Sequence, residues 1–121
     1  MSELEILYRD QYLIAIDKPH GMLVHPGRTP EPREHIAMKV LRDMLNQKIH
    51  TVHRLDRPTS GVLLFALDPD SERIIKAAFE NKEMEKRYFA VVRGKVEEQW
   101  QCNDALRKAP DDKLKESRTD F

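Results

Sequence analysis

Between His53 and Leu67 the chain passes from a charged loop into an unbroken apolar run, and that junction constrains the fold more than any other stretch. Asp56 stands between Arg54 and Arg57, Pro58 and Gly61 turn the backbone, and Gly61 to Leu67 then reads as a strand buried on both faces. A loop that ends abruptly at a buried strand keeps its side chains in one place, as a reactive carboxylate requires. Flanking positive charge favours the ionised form of a carboxylate, which can attack as a nucleophile or accept a proton. Taken alone, such a stretch is more often a solvated turn with no chemistry.

The surrounding pattern predicts an α+β fold: a mixed, mainly antiparallel sheet with two packed helices. Glu5 to Asp10 and Tyr12 to Lys18 are β-rich and split by Asp10-Gln11, an opening hairpin. Gly21 to His25 begins a third extended piece, and Gly27 to Pro32 is a loop. Ala37, Val40, Leu41, Met44 and Leu45 recur at helical spacing, which predicts a helix from Arg33 to about Gln47. Ile49 to Val52 is β-prone. Asp68-Pro69 is a helix start, with the aspartate as cap and the proline in the first turn, and Ile74, Ile75, Ala78 and Phe79 form that helix's apolar stripe. Arg87 to Arg93 returns as a strand ended by Gly94. After about Glu97 the apolar pattern fades, so 1–97 and 98–121 are expected to differ, the latter being a disordered tail or a truncated continuation.

Three ordered segments carry a resemblance. His53-Arg54-Leu55-Asp56, followed by Thr59-Ser60-Gly61, resembles the signature of the RluA-type pseudouridine synthases. Lys18-Pro19-His20-Gly21-Met22-Leu23-Val24-His25 is similar to that family's lysine-proline-x-glycine-x-x-valine-histidine element, and Lys86-Arg87-Tyr88 to Gly94 is similar to its tyrosine-bearing strand. The resemblance spans residues 3 to 95 and implies the N-terminal portion of a pseudouridine synthase catalytic domain. It does not reach the family's third motif, whose basic residue faces the aspartate, and 98–121 contain no match for it. The expectation is therefore a chain that stops partway through that domain and is weakly active or inactive by itself, the full-length parent being the isomerising enzyme. A noncatalytic RNA-binding fragment is the alternative.

The implied reaction is isomerisation of uridine to pseudouridine in RNA, with tRNA as the expected substrate and ribosomal RNA as the other. It breaks a glycosidic bond, rotates the base and rejoins it through carbon 5, so no cofactor is required. The resemblance makes Asp56 the essential carboxylate and Tyr88 the ring that stacks on the extruded uracil. A core-facing strand tyrosine is the plain alternative for Tyr88. Arg54 either contacts RNA or forms an ion pair with Asp56. Arg57 and Arg87 are RNA-facing candidates, Lys18 is RNA-facing or structural, and His53 supports the loop or the RNA. Pro19, Gly21, Thr59, Ser60 and Gly61 are expected to shape the loops, with the Thr59 and Ser60 hydroxyls bonding to backbone.

Charge is consistent with this but does not carry it. The 21 basic and 21 acidic side chains cancel, yet six basic residues face three acidic ones between Arg33 and Arg57. A focused basic face of that kind would bind RNA salt-sensitively, and an ordinary mixed-charge surface is the alternative on charge alone. Cys102 is the only cysteine, which removes an internal disulfide and a cysteine-built zinc site. His50 and His53, three apart in a β-prone stretch, point to opposite faces, so no metal centre is expected. No apolar run is long enough to span a bilayer and the acidic N-terminus lacks a signal core, so a cytoplasmic protein is expected. The oligomeric state is left open.

Overall fold

The computed structural model describes residues 3–95, 101–102 and 119–120. The chain divides into two units, Met1–Lys86 and Arg87–Phe121.

The first unit is built on a four-stranded sheet: β1 (Glu5–Arg9), β2 (Leu13–Lys18), β3 (His50–Thr51) and β4 (Gly61–Ala66), in the order β1-β2-β4-β3. Every ladder is antiparallel. The expected α+β fold, a mainly antiparallel sheet with two helices, is the one found, and all three ladders of this sheet run antiparallel. The hairpin at Asp10 forms because its carboxylate Oδ1 accepts the N–H groups of Tyr12, at 2.7 Å, and Leu13, at 2.9 Å. β2 pairs with β4 from Leu13↔Ala66 to Lys18↔Gly61. This register puts Ile14 opposite Phe65 and Ile16 opposite Leu63, all with no exposed surface. Ala37, Val40 and Leu41 of helix α1 (Ala37–Leu45) join them, with Met22, Val24 and Leu55, in one core.

The third extended piece and the start of the first helix are one feature. Only Leu23 forms a bridge, parallel, to Ile36, so no strand runs from Gly21 to His25. The predicted helix is divided: a 3-10 turn spans Arg33–His35, Ile36 is extended, and α1 begins at Ala37. Ile36 brings no capping side chain. The carbonyls of Leu23 and Val24 instead accept the N–H groups of Ala37, at 2.7 Å, and Met38, at 2.9 Å. A helix start has N–H groups without intrahelical partners, and a neighbouring backbone satisfies them here. α1 ends at Asn46 in the left-handed region (φ 49°), a residue type that tolerates it.

Helix α2 (Pro69–Glu80) starts where expected. Asp68 Oδ1 accepts from Ser71 N at 2.8 Å, and Oδ2 accepts from Ser71 Oγ at 2.7 Å. Asp68→Ala is expected to cost about 1 kcal/mol, read from urea denaturation with an unchanged slope. The apolar stripe packs less than expected. Ile74 remains 61% exposed, and Ile75, Ala78 and Phe79 are only partly covered. β4 is likewise not buried on both faces. Leu63 and Phe65 face the core, whereas Val62 is 59% exposed. A continuous apolar run signals hydrophobicity, but alternation decides which residues the first unit covers.

In the second unit the strand expected over Arg87–Arg93 is absent. Those residues are not in strand conformation, and Phe89 and Val91 are fully exposed. β-propensity describes how a residue fits a ladder once a partner edge exists; it does not create one. Gln101–Cys102 and Thr119–Asp120 pair antiparallel. The rest of the weakly patterned 98–121 lies outside the described residues.

Candidate functional site

The Asp56 loop is rooted from below. Val52 and Leu55 are buried, so the intervening and following side chains, Arg54 and Asp56, project outward. Asp56 is 80% exposed and Arg54 is 68% exposed. Their closest approach is 3.7 Å, Arg54 Nη2 to Asp56 Oδ1, an ion pair without a hydrogen bond. At that separation in water it does little to fix either group.

The backbone around Asp56 is held instead. Thr59 N donates to Asp56 O at 2.9 Å and closes the turn. Arg57 O accepts from Gly21 N at 2.8 Å and from Lys18 Nζ at 3.1 Å. A nitrogen of the His20 ring lies 2.6 Å from Pro58 O. The lysine-proline element and the aspartate loop, far apart in sequence, thus form one assembly. Gly21 sits at φ +89° and Gly61 at φ +128°, conformations that L side chains rarely adopt, at the two places where the chain enters that assembly.

Lys18 is its centre. The side chain has no exposed surface, and Nζ donates to Met22 O at 2.6 Å, Pro19 O at 3.1 Å and Arg57 O. Three carbonyl acceptors match the three donors of an ammonium. Burial pushes Lys18 below its ordinary 10.5, the Arg57 charge adds to this, and the Asp56 charge opposes it. Of the alternatives the sequence left open for Lys18, the structural one describes this geometry. A fully buried ammonium cannot reach phosphate.

Arg57 is also engaged. Its Nε donates to Gly21 O at 2.8 Å, and its two terminal nitrogens meet Glu31 Oε1 at 2.8 Å and Oε2 at 3.3 Å. The guanidinium therefore points to Glu31 rather than flanking the Asp56 carboxylate. Glu31 Oε2 also lies 3.2 Å from a His35 ring nitrogen. The hydrogen bond from Arg57 first, and His35 second, lower the Glu31 carboxyl from its ordinary 4.5 to about 2. A depressed carboxyl favours the clamped loop above pH 4.5, and that contribution is lost as pH falls from 4.5 towards 2. Carbon-detected NMR titration should find Glu31 ionised down to about pH 2; protonation near 4.5 would contradict the clamp.

Sequence reasoning passed over Glu31 as part of a loop. Its signal was local: Pro30 and Pro32 frame a lone acid, and a residue before proline is confined to extended backbone.

His53 is a support. Its ring stacks on Phe79 with centroids 4.6 Å apart, and Nε2 accepts Leu64 N–H at 2.9 Å, one step beyond the Thr51↔Phe65 pair where the β3–β4 ladder ends. Burial first, and the Lys86 charge second, lower its pKa below the usual 6.5. The neutral ring that accepts this bond is thereby favoured, so stability should fall as pH drops through about 6.5.

The hydroxyls of Thr59 and Ser60 make no hydrogen bond among the described residues; the Thr59 amide closes the turn in their place. Tyr88, 61% exposed, and Arg87 lie in the second unit. Among the described residues no group of three or more His, Cys, Asp or Glu is placed to hold a metal ion. No helix among them is long and apolar enough to cross a membrane.

Residues 12–121 match the family described as RNA pseudouridylate synthase. A tRNA pseudouridine synthase C of Haemophilus ducreyi is 50% identical over 105 residues, covering 87% of this chain and 43% of that protein. The protein of the same name in Pasteurella multocida is 52% identical over 91 residues, covering 75% and 37% respectively. The chain thus spans about two fifths of the length of these relatives. The solved structure of human RNA pseudouridylate synthase domain containing 1 aligns with 98% of this chain and 51% of its own, with a TM-score of 0.76. At 22% identity that likeness speaks for the fold alone. Human RNA pseudouridylate synthase domain containing 4 is 31% identical, with a TM-score of 0.54 over 65% of this chain and 30% of its own.

Proposed function

The chain belongs to the RNA pseudouridylate synthase family, and from that premise we propose that it carries the reactive carboxylate of a site that isomerises uridine to pseudouridine, with tRNA as the substrate class. The observation that carries the reading is the contrast at Asp56. Its side chain is 80% exposed, while the backbone bearing it is tied at Asp56 O, Arg57 O and Pro58 O. A nucleophile needs to be both accessible and held in place.

Uridine inside a paired helix hides its glycosidic bond, so the nucleotide must swing out to meet Asp56. Asp56 then attacks or accepts a proton while the bond between the sugar and nitrogen 1 breaks. The base turns, carbon 5 bonds to the sugar, the hydrogen on carbon 5 leaves as a proton, and nitrogen 1, freed from the sugar, takes up a proton. Atoms and electrons balance without a redox partner. Arg54, exposed beside Asp56, is assigned to the RNA backbone, where its planar fork suits phosphate. Tyr88 is assigned the stacking role and Arg87 an RNA contact by their places in the third segment. Residues 1–97 are assigned to the N-terminal portion of the catalytic domain, and the cytoplasm is the compartment proposed.

Tritium release from RNA labelled at uridine carbon 5 tests the activity and the substrate class together. Release from tRNA transcripts, and not from ribosomal RNA, is expected. Release from ribosomal RNA alone would overturn the substrate class, and no release from either would overturn the assignment of activity to this chain.

A further inference from the structure

We propose that Glu31 is a positioning residue for Asp56, acting through Arg57 to fix the turn on which the carboxylate stands. This deepens the functional reading above and rests on it. Among the described residues the Asp56 carboxylate has no hydrogen bond of its own, so its location follows from the backbone of residues 56–59. Within that turn Arg57 is gripped from both sides. Its carbonyl takes Gly21 N–H and Lys18 Nζ, and its side chain takes Gly21 O and both oxygens of Glu31.

The paired geometry, 2.8 and 3.3 Å onto the two carboxylate oxygens, is the fork-to-fork arrangement that adds direction to charge. Lysine at position 57 would keep the charge and lose that direction. Glu31 reaches the guanidinium from a segment fixed at both neighbours by proline, so little backbone freedom is lost in forming the clamp. His35 holds Oε2 from the other side at 3.2 Å. A single carboxylate thus connects the 3-10 turn before α1 to the aspartate turn. An exposed ion pair adds little to global stability, so its effect is expected in the loop rather than in the fold.

The test is amide hydrogen exchange by NMR on the whole chain, unsubstituted against Glu31→Gln and Arg57→Lys. The amides of Gly21 and Thr59, which bond to Arg57 O and Asp56 O, should exchange about tenfold faster in both variants, while those of Ile16 and Leu63 keep their rates. Unchanged Gly21 and Thr59 rates would overturn the proposal, and so would equal acceleration at Ile16 and Leu63. Tritium release adds a second readout. Glu31→Gln should lower kcat about tenfold with KM for RNA within about twofold, because the carboxylate is misplaced while RNA contacts remain. A full kcat in Glu31→Gln beside an inactive Asp56→Asn would overturn the proposal and leave the reading intact. Absence of tritium release by the unsubstituted chain would sink the reading, and amide exchange would still decide the role of Glu31.

Discussion

Lys18→Met is expected to lower the unfolding free energy by about 2–4 kcal/mol, the largest stability effect of any single substitution on this loop assembly. Methionine fills nearly the same volume, so the loss is polar rather than steric. The carbonyls of Pro19, Met22 and Arg57 lose their common donor. Arg57 O keeps Gly21 N–H, which leaves two carbonyls without this partner at about 1–3 kcal/mol each. Relief of the buried charge works the other way, since burial already pushes the Lys18 ammonium below its ordinary value. The lost acceptor contacts outweigh that relief, because the ammonium in place uses all three of its donors. Thermal denaturation followed by circular dichroism should show a fall in Tm of about 10–20 °C for a unit of this size. A fall of less than about 3 °C would mean that the cage is incidental to the fold.

The same cage explains what was and was not legible in the residues. Local chemistry was readable. Asp10 closing a hairpin and Asp68 capping α2 each follow from neighbours a few positions away. Motif order placed Asp56 on a loop entering a strand, where it is found. What failed depended on partners distant in sequence. The sequence left Lys18 as RNA-facing or structural and held Arg57 as an RNA-facing candidate; that Lys18 turns inward to carbonyls and Arg57 to Glu31 depends on residues no local pattern reveals. The start of α1 carries no side-chain cap because Leu23 and Val24 satisfy it from across the fold. The run at Arg87–Arg93 has the composition of a strand but does not form one. Periodicity reports what an element prefers; long-range pairing decides whether it forms.

The largest effect on chemistry is expected at Asp56. Asp56→Asn keeps the size and shape of the side chain and removes its negative charge. Because the carboxylate makes no hydrogen bond among the described residues and is 80% exposed, the fold should lose at most about 0.5 kcal/mol. An amide is a poor nucleophile and a poor proton acceptor, so turnover should fall by about 10³-fold or more, the scale seen when a covalent or acid–base group is removed. RNA binding should persist, since Arg54 and the other exposed basic groups are untouched. Loss of activity with an unchanged Tm is the pattern that separates a reacting group from a structural one.

The most direct measurement is therefore a single-turnover time course. The unsubstituted chain and Asp56→Asn are each mixed in excess with tRNA tritiated at uridine carbon 5, with matched thermal midpoints as the control. Release of tritium by the first and none above background by the second is the result predicted here. Equal release by both would contradict the claim that an exposed carboxylate, held by its backbone, performs the isomerisation.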